Sequence, residues 1–221
     1  MMRRWLEGWR RCRGLEPVIE YSDAYAAVLR LPGRDRELFT RTDEPATVER
    51  LALSLMEDTW LTVTTQAGDR VAGQLLAAGA RPFEEQKILM SIELQRHPQP
   101  ATDLYLLEEM ADGVLGSVRL LTPDGGVAAH GMSAVVGADV VMHDIQTDPA
   151  HRRRGLGSVV MGALARRAVE HGARTGLLMA TIDGFHLYRK LGWTAEATMV
   201  TASGARLGPV RGDLGPVLTG G

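Results

Sequence analysis

Residues Ile145 to Gly157 (Ile-Gln-Thr-Asp-Pro-Ala-His-Arg-Arg-Arg-Gly-Leu-Gly) constrain this chain more than any other stretch. A β-rich run ends at a proline, three arginines follow, and two glycines lead into an apolar stripe at helical spacing: Leu156, Val159, Val160, Ala163 and Leu164. The order reads as strand, tight loop and helix. Glycines at that corner let the backbone approach a ligand closely. The first turn of the helix presents unpaired N–H groups at the positive end of its dipole, and together these make a cradle for phosphate oxygens. Arg152, Arg153 and Arg154 add charge at its rim. Two common phosphate loops do not fit. No Gly-Lys-Ser/Thr is present, and position 160, where a dinucleotide fold wants a third glycine, is Val.

The surroundings of this motif limit the fold further. Ahead of it come alternating segments at Leu104–Met110, Val114–Leu121, Gly126–Val136 and Asp139–Thr147, joined by short Gly- and Asp-containing turns, which predicts an antiparallel meander. After it, a helix from Gly155 to about Glu170, a strand Gly176–Thr181, a helix Asp183–Leu191 and a strand near Ala195–Thr201 are expected. The first part of the chain predicts a hairpin with strands near Val18–Leu31 and Glu37–Thr40. A helix Pro45–Met56, a strand Trp60–Thr65, a helix Gly68–Ala80 and a strand Lys87–Leu94 follow. Pro98 and Pro100 mark 95–102 as a linker, so the chain divides into an α/β unit at 1–95, a second unit at 103–204, and a Gly- and Pro-rich tail at 205–221 expected to be flexible.

Composition excludes several classes. The 221 residues carry 25 basic and 27 acidic side chains, so no bulk basic excess favours nucleic acid. One cysteine, Cys12, excludes a disulfide framework and a Cys-based zinc cluster, and no apolar run is long enough for a signal peptide or a membrane span. A cytoplasmic protein is expected. Five arginines among residues 3–13, with Trp5 and Trp9 one turn apart, suit a basic amphipathic helix for a membrane surface or RNA. They suit better a terminal helix that docks its Trp stripe on the domain.

The segment Arg152-Arg153-Arg154-Gly155-Leu156-Gly157 resembles the Arg/Gln-x-x-Gly-x-Gly/Ala signature of the Gcn5-related N-acetyltransferase (GNAT) superfamily. Thr147-Asp148-Pro149 stands where that family commonly has Val-x-Pro. A second block, Leu187-Tyr188-Arg189-Lys190-Leu191-Gly192-Trp193, resembles the family's Leu-Tyr-x-x-x-Gly-Phe, and the match spans roughly residues 103–202. The resemblance implies an α/β (α+β) fold, a mixed, mostly antiparallel twisted sheet flanked by helices, here in tandem with a smaller N-terminal half. It further implies acetyl-CoA as donor, with N–H groups from Arg153 through Ser158 on the pyrophosphate. Ile145, Gln146 and Thr147 would hold the pantetheine arm and the thioester carbonyl, and an amine would attack that thioester directly. Tyr188 matches the family's general acid for the departing thiolate.

A general base is less directly marked. His143 lies two residues before Ile145, which in a regular strand puts both on one face, and some family members carry a base histidine at this place. Glu108 and Glu109 are weaker candidates, and an α-amine near pKa 8 needs no strong base. No metal is expected, because the strand neighbours His143 and Asp144 face opposite ways and no third ligand follows.

Between its first two strands the family usually has two helices that wall the acceptor pocket, and here only Ala111-Asp112-Gly113 intervenes. The first half offers itself instead, since Leu61–Ser91 echoes Leu177–Ser203, with Leu75 where Tyr188 stands. It reads as a degenerate acetyltransferase-like half that supplies packing and an acceptor surface. The expected activity is transfer of an acetyl or other acyl group to a primary amine of a small molecule or peptide, without nucleic acid or membrane partners, and a homodimer is compatible with it. The alternative is a non-catalytic acyl-CoA-binding regulatory module.

Overall fold

The computed structural model describes residues 1–94 and 104–204; the expected linker at 95–102 and tail at 205–221 lie outside the described residues. The first part runs α1 (Met2–Cys12), β1 (Ile19–Glu20), β2 (Ala24–Leu31), β3 (Arg34–Thr40), α2 (Pro45–Leu53), β4 (Thr59–Thr65), α3 (Gly68–Ala77), β5 (Arg81–Pro82) and β6 (Lys87–Glu93). The second runs β7 (Leu106–Asp112), β8 (Leu115–Leu121), β9 (Val127–Val136), β10 (Asp139–Thr147), α4 (Leu156–Glu170), β11 (Thr175–Ala180), α5 (Ile182–Lys190) and β12 (Thr194–Ser203). The expected first hairpin is there, with its leading strand interrupted at Tyr21–Asp23.

All the strands join one sheet in the order β1-β2-β3-β4-β12-β6-β11-β10-β9-β8-β7, with β5 paired to β12. That order reads alike from the central β12–β6 pair outward in both directions. Each side has an antiparallel neighbour (β4 on β12, β11 on β6), then a parallel pair (β3–β4, β10–β11), then an antiparallel one (β2–β3, β9–β10). Each parallel pair is bridged by a helix, as parallel connections require. The last strand of each half crosses to the other side: β6 lies between β11 and β12, and β12 lies between β4 and β6. Residue 95 therefore does not separate two independent units, because each half completes the other's sheet.

Alternation along the strands sorts side chains into two layers. On one face Val140, Met142, Leu178 and Met90 pack with α4, Tyr188 and Trp193, and Leu61, Val63 and Val200 pack with Val48 of α2 and Val71 and Leu75 of α3. On the other face α1 buries Trp5, Leu6 and Trp9 against Phe39, Leu89, Val141, Leu177 and Met199. Trp5 and Trp9 sit 5.9 and 5.6 Å from the Phe39 ring on β3, while a Cβ at Gly8 would collide with Val141 on β10. Five inter-strand steps part β3 from β10, about 24 Å in a flat sheet. A helix of roughly 10 Å diameter touches both, so the sheet curls around α1. The Trp stripe is thus a docking face, with Trp5 and Trp9 at 1% and 2% exposure.

Candidate active site

β10 and β11 are paired only at Asp139–Val141 with Thr175–Leu177; beyond Val141 they part. The parting coincides with a bulge, where the register of β10 on β9 slips between His143 and Gln146 and Asp144 takes φ 54°. A non-glycine residue in the left-handed region is uncommon, and Asp is among those that tolerate it. The gap widens into a cleft of about 1230 Å³. One wall is Met142–Thr147, the other Met179 and Thr181, and its lining draws on both faces of the sheet, from Trp5 of α1 to Leu187 and Tyr188 of α5.

The bulge overturns one expectation from sequence. The ladder is regular from Asp139 to His143, so His143 faces α1 as Val141 does. Ile145 packs in the opposite layer, meeting Val160 and Leu164 over Gly131. The Asp144 carboxylate lines the cleft, accepts from Gln146 Nε2 and lies 3.4 Å from His130 Nε2.

At the loop, Asp148 caps a short 3-10 turn at Pro149–His151 by accepting from Ala150 N–H at 2.8 Å. Arg153 and Gly155 then take φ of 64° and 78°, which folds the backbone into a concave corner before α4. The N–H groups of Arg153, Arg154, Gly155, Leu156 and Gly157 have no intramolecular partner among the described residues, whereas Ser158 N–H already donates to Gly155 O at 2.9 Å. Five free donors at a helix N-terminus, with Arg152 and Arg153 on the cleft, fit a pyrophosphate. Arg154 is turned aside, and its Nη1 donates to Tyr105 Oη at 2.9 Å outside the cleft.

Tyr188 sits in the last turns of α5, whose first turn is capped by Thr181 Oγ1 accepting from Gly184 N–H at 3.1 Å. Gly184 makes room for the phenol ring, since a Cβ there would lie 3.0 Å from its Cε2. Gly157 does the same for the neighbouring residue, because a Cβ would stand 2.8 Å from Leu187 Cδ2. The loop ahead of α4 and the tyrosine helix therefore approach through Gly157, while Gly184 clears space for the Tyr188 ring within α5. The Tyr188 hydroxyl has no hydrogen-bond partner among the described residues, and burial pushes its pKa up to about 12.

His143 lines the same cleft from the α1 side. Burial chiefly, then the Arg13 charge, hold its pKa below the ordinary histidine value, with Asp144 opposing. Glu108 and Glu109 are not brought to the cleft; both lie on β7, where Glu109 pairs with Arg166 of α4. From the first half, Trp5 of α1 and Glu85 and Lys87, beside and on β6, reach the lining of the cleft. No periodicity pointed to Glu85 or Lys87. Only the strand exchange brings them there.

A mixed sheet with a parallel pair splayed by a bulge, and free N–H groups of a helix start at its mouth, is the frame of a GNAT-type fold. The family model described as the acetyltransferase (GNAT) family matches residues 71–193, just over half of the chain, and the chain belongs to that family. The match starts within α3, so it takes in the α3 to β6 segment as well as the second half. Among solved structures, a GCN5-related N-acetyltransferase from Kribbella flavida superposes with a TM-score of 0.64 at 18% identity, over 90% of this chain and 92% of that one. One from Sphaerobacter thermophilus gives 0.58 at 14%, over 81% and 76%. A tandem GNAT protein from the clavulanic acid biosynthesis pathway gives 0.55 at 13%, over 85% and 82%. At these identities the likeness is one of fold. No curated protein matches the sequence.

Proposed function

We propose that the chain transfers an acyl group, most simply acetyl from acetyl-CoA, directly to the primary amine of a small molecule or peptide. The observation that carries this reading is the continuity of one cleft, from the free N–H groups of Arg153–Gly157, past Tyr188, to His143 on the far side of the sheet. The bound donor would supply an activated thioester. The loop, with Arg152 and Arg153, holds its pyrophosphate, and the unpaired edge of β10 at Ile145–Thr147 is available to the extended arm and carbonyl.

The two titratable groups divide the proton transfers. His143, kept neutral by burial, takes a proton from the acceptor ammonium or from the amine as it attacks. Tyr188 keeps its proton until a thiolate develops beside it. A phenol at about 12 opposite a thiol near 8.5 would be uphill by about 5 kcal/mol. The same low-dielectric cleft raises the thiol too, and in water the gap is only about 2 kcal/mol, so the help from Tyr188 is real but modest. The first half is read as a degenerate acetyltransferase-like unit. Asp43, Glu44 and Pro45 precede α2 where Arg152–Gly157 precede α4, and fully buried Leu75 stands at the place of Tyr188.

Thiol release from acetyl-CoA over a panel of amines tests the proposal, with the acylated product identified by mass. Tyr188→Phe should lower kcat by roughly 10- to 1000-fold with CoA affinity retained. Tight CoA binding without any amine-dependent thiol release would favour a regulatory acyl-CoA-binding module instead.

A further inference from the structure

On the α1 side of the cleft stand Glu85 and Lys87, to which the reading above gives no role in donor binding or proton transfer. The chain has 25 basic residues, and only two are lysines, Lys87 and Lys190; both line the cleft. Lys87 is the first residue of β6, a strand hydrogen-bonded on both sides, and the pairing of Ile88 with Ala180 puts it level with Thr181 on the cleft wall. Its backbone is therefore fixed, and its side chain is 26% exposed. Among the described residues the ammonium has a single partner, the Glu85 carboxylate at 2.5 Å, which is itself 55% exposed. An ion pair so open to water is worth little, so another carboxylate can replace Glu85 at small cost. Lysine suits such an exchange, since it is a compact charge with rotatable donors on a flexible stem.

Lys87 and His143 project on the same face, with β11 between them; His143 is level with Met179 and Lys87 with Thr181, so two strand spacings and a two-residue offset put their backbones roughly 12 Å apart, and the parting of β10 from β11 adds to that. A lysine stem covers part of that span, leaving room for an amine and an anionic group a few bonds apart. We propose that Lys87 binds a carboxylate carried by the acceptor, so that the acceptor is a small zwitterion of the amino-acid type and not a simple amine. The proposal rests on the acyl-transfer reading of the cleft and adds the acceptor class to it.

The test compares amino acids, their carboxamides and their decarboxylated amines as acceptors with acetyl-CoA. Wild type is expected to show a KM about 10- to 100-fold lower for the carboxylate-bearing acceptors, the range of a charged hydrogen bond. Lys87→Met should erase that preference, Lys87→Arg should keep part of it, and unchanged CoA affinity by calorimetry certifies that each variant is folded. Glu85→Gln, by removing the competing carboxylate, should lower the KM of amino acids several-fold. Equal KM values for acid and amide in wild type, a preference that survives Lys87→Met, or a higher KM in Glu85→Gln would each overturn the assignment. If no amine releases thiol, acyl transfer itself fails. Calorimetric titration of amino acids into the CoA-bound wild type and Lys87→Met then decides whether Lys87 holds a carboxylate, binding lost in the variant supporting it and equal or absent binding refuting it.

Discussion

β3 and β4 are parallel neighbours joined by a helix, as are β10 and β11, yet only the second pair parts to form a cleft. The first pair stays hydrogen-bonded from Arg36 to Phe39, one residue short of the end of β3, while the second stops at Val141 with six residues of β10 to go. Past the first pair the chain is stitched shut. Thr65 Oγ1 donates to Asp43 Oδ2 at 2.6 Å, and Arg70 Nη2 donates to the same oxygen at 3.1 Å. Past the second pair, a bulge at Asp144 and a loop of unpaired N–H groups hold the strands apart and leave donors for a ligand. Shared topology is thus not a shared site. The difference lies in one bulge, two left-handed residues and the sign of the charges ahead of a helix.

The comparison can be broken at several points. Trp9 packs under strands of both halves, so Trp9→Ala should cost about 3–5 kcal/mol in a single denaturant transition; two separable transitions would show that the halves are independent after all. Gly155→Val meets a left-handed φ of 78°, and Gly157→Val would drive into Leu187, so either should weaken CoA binding more than ~100-fold while circular dichroism stays native. Retained micromolar affinity in calorimetry would move the donor site elsewhere.

A smaller effect concerns pH. The folded pKa of His143 is depressed, so the folded state binds fewer protons than the unfolded one, and the stability it confers is present above pH 6.5 and lost as pH falls through the folded value. The acid limb of kcat/KM should accordingly lie below pH 6.5. Arg13→Ala removes the second cause and leaves burial, so the limb should rise slightly toward 6.5; a limb unmoved or lowered in that variant would count against His143 as base. Least of all, Asp43→Ala in the closed pair should cost about 1 kcal/mol and leave CoA affinity unchanged. A change in donor affinity there would mean that the first half still takes part in donor binding.

The sequence carried the second half well, because its signals are local. Leu156 to Leu164 repeat at helical spacing, Gly172 and Gly192 end their helices, and the span of β10 follows from an apolar run bounded by Gly137 and Pro149. The loop ahead of α4 was legible for the same reason, since Arg152–Gly157 are contiguous. What escaped depended on partners far along the chain. Ile145 breaks alternation only because Asp144 bulges against β9, and nothing in His-Asp-Ile-Gln announces that. Lys87 and Glu85 look like an ordinary turn before a strand until β6 is placed against β11. The echo between Leu61–Ser91 and Leu177–Ser203 was visible, but not that the last strands of the two halves change places.

That exchange also bears on how the molecule can be made. As the chain leaves the ribosome, β6 precedes the strand it must join, so β11 finds its neighbour already waiting. β4 has no such fortune: its antiparallel partner is β12, which ends at Ser203, and until then its edge is bare and prone to mispairing. The edge of β4 is therefore the last to close. A fragment confined to 103–204 would leave β11 open where β6 belongs and would take Lys87 from the cleft.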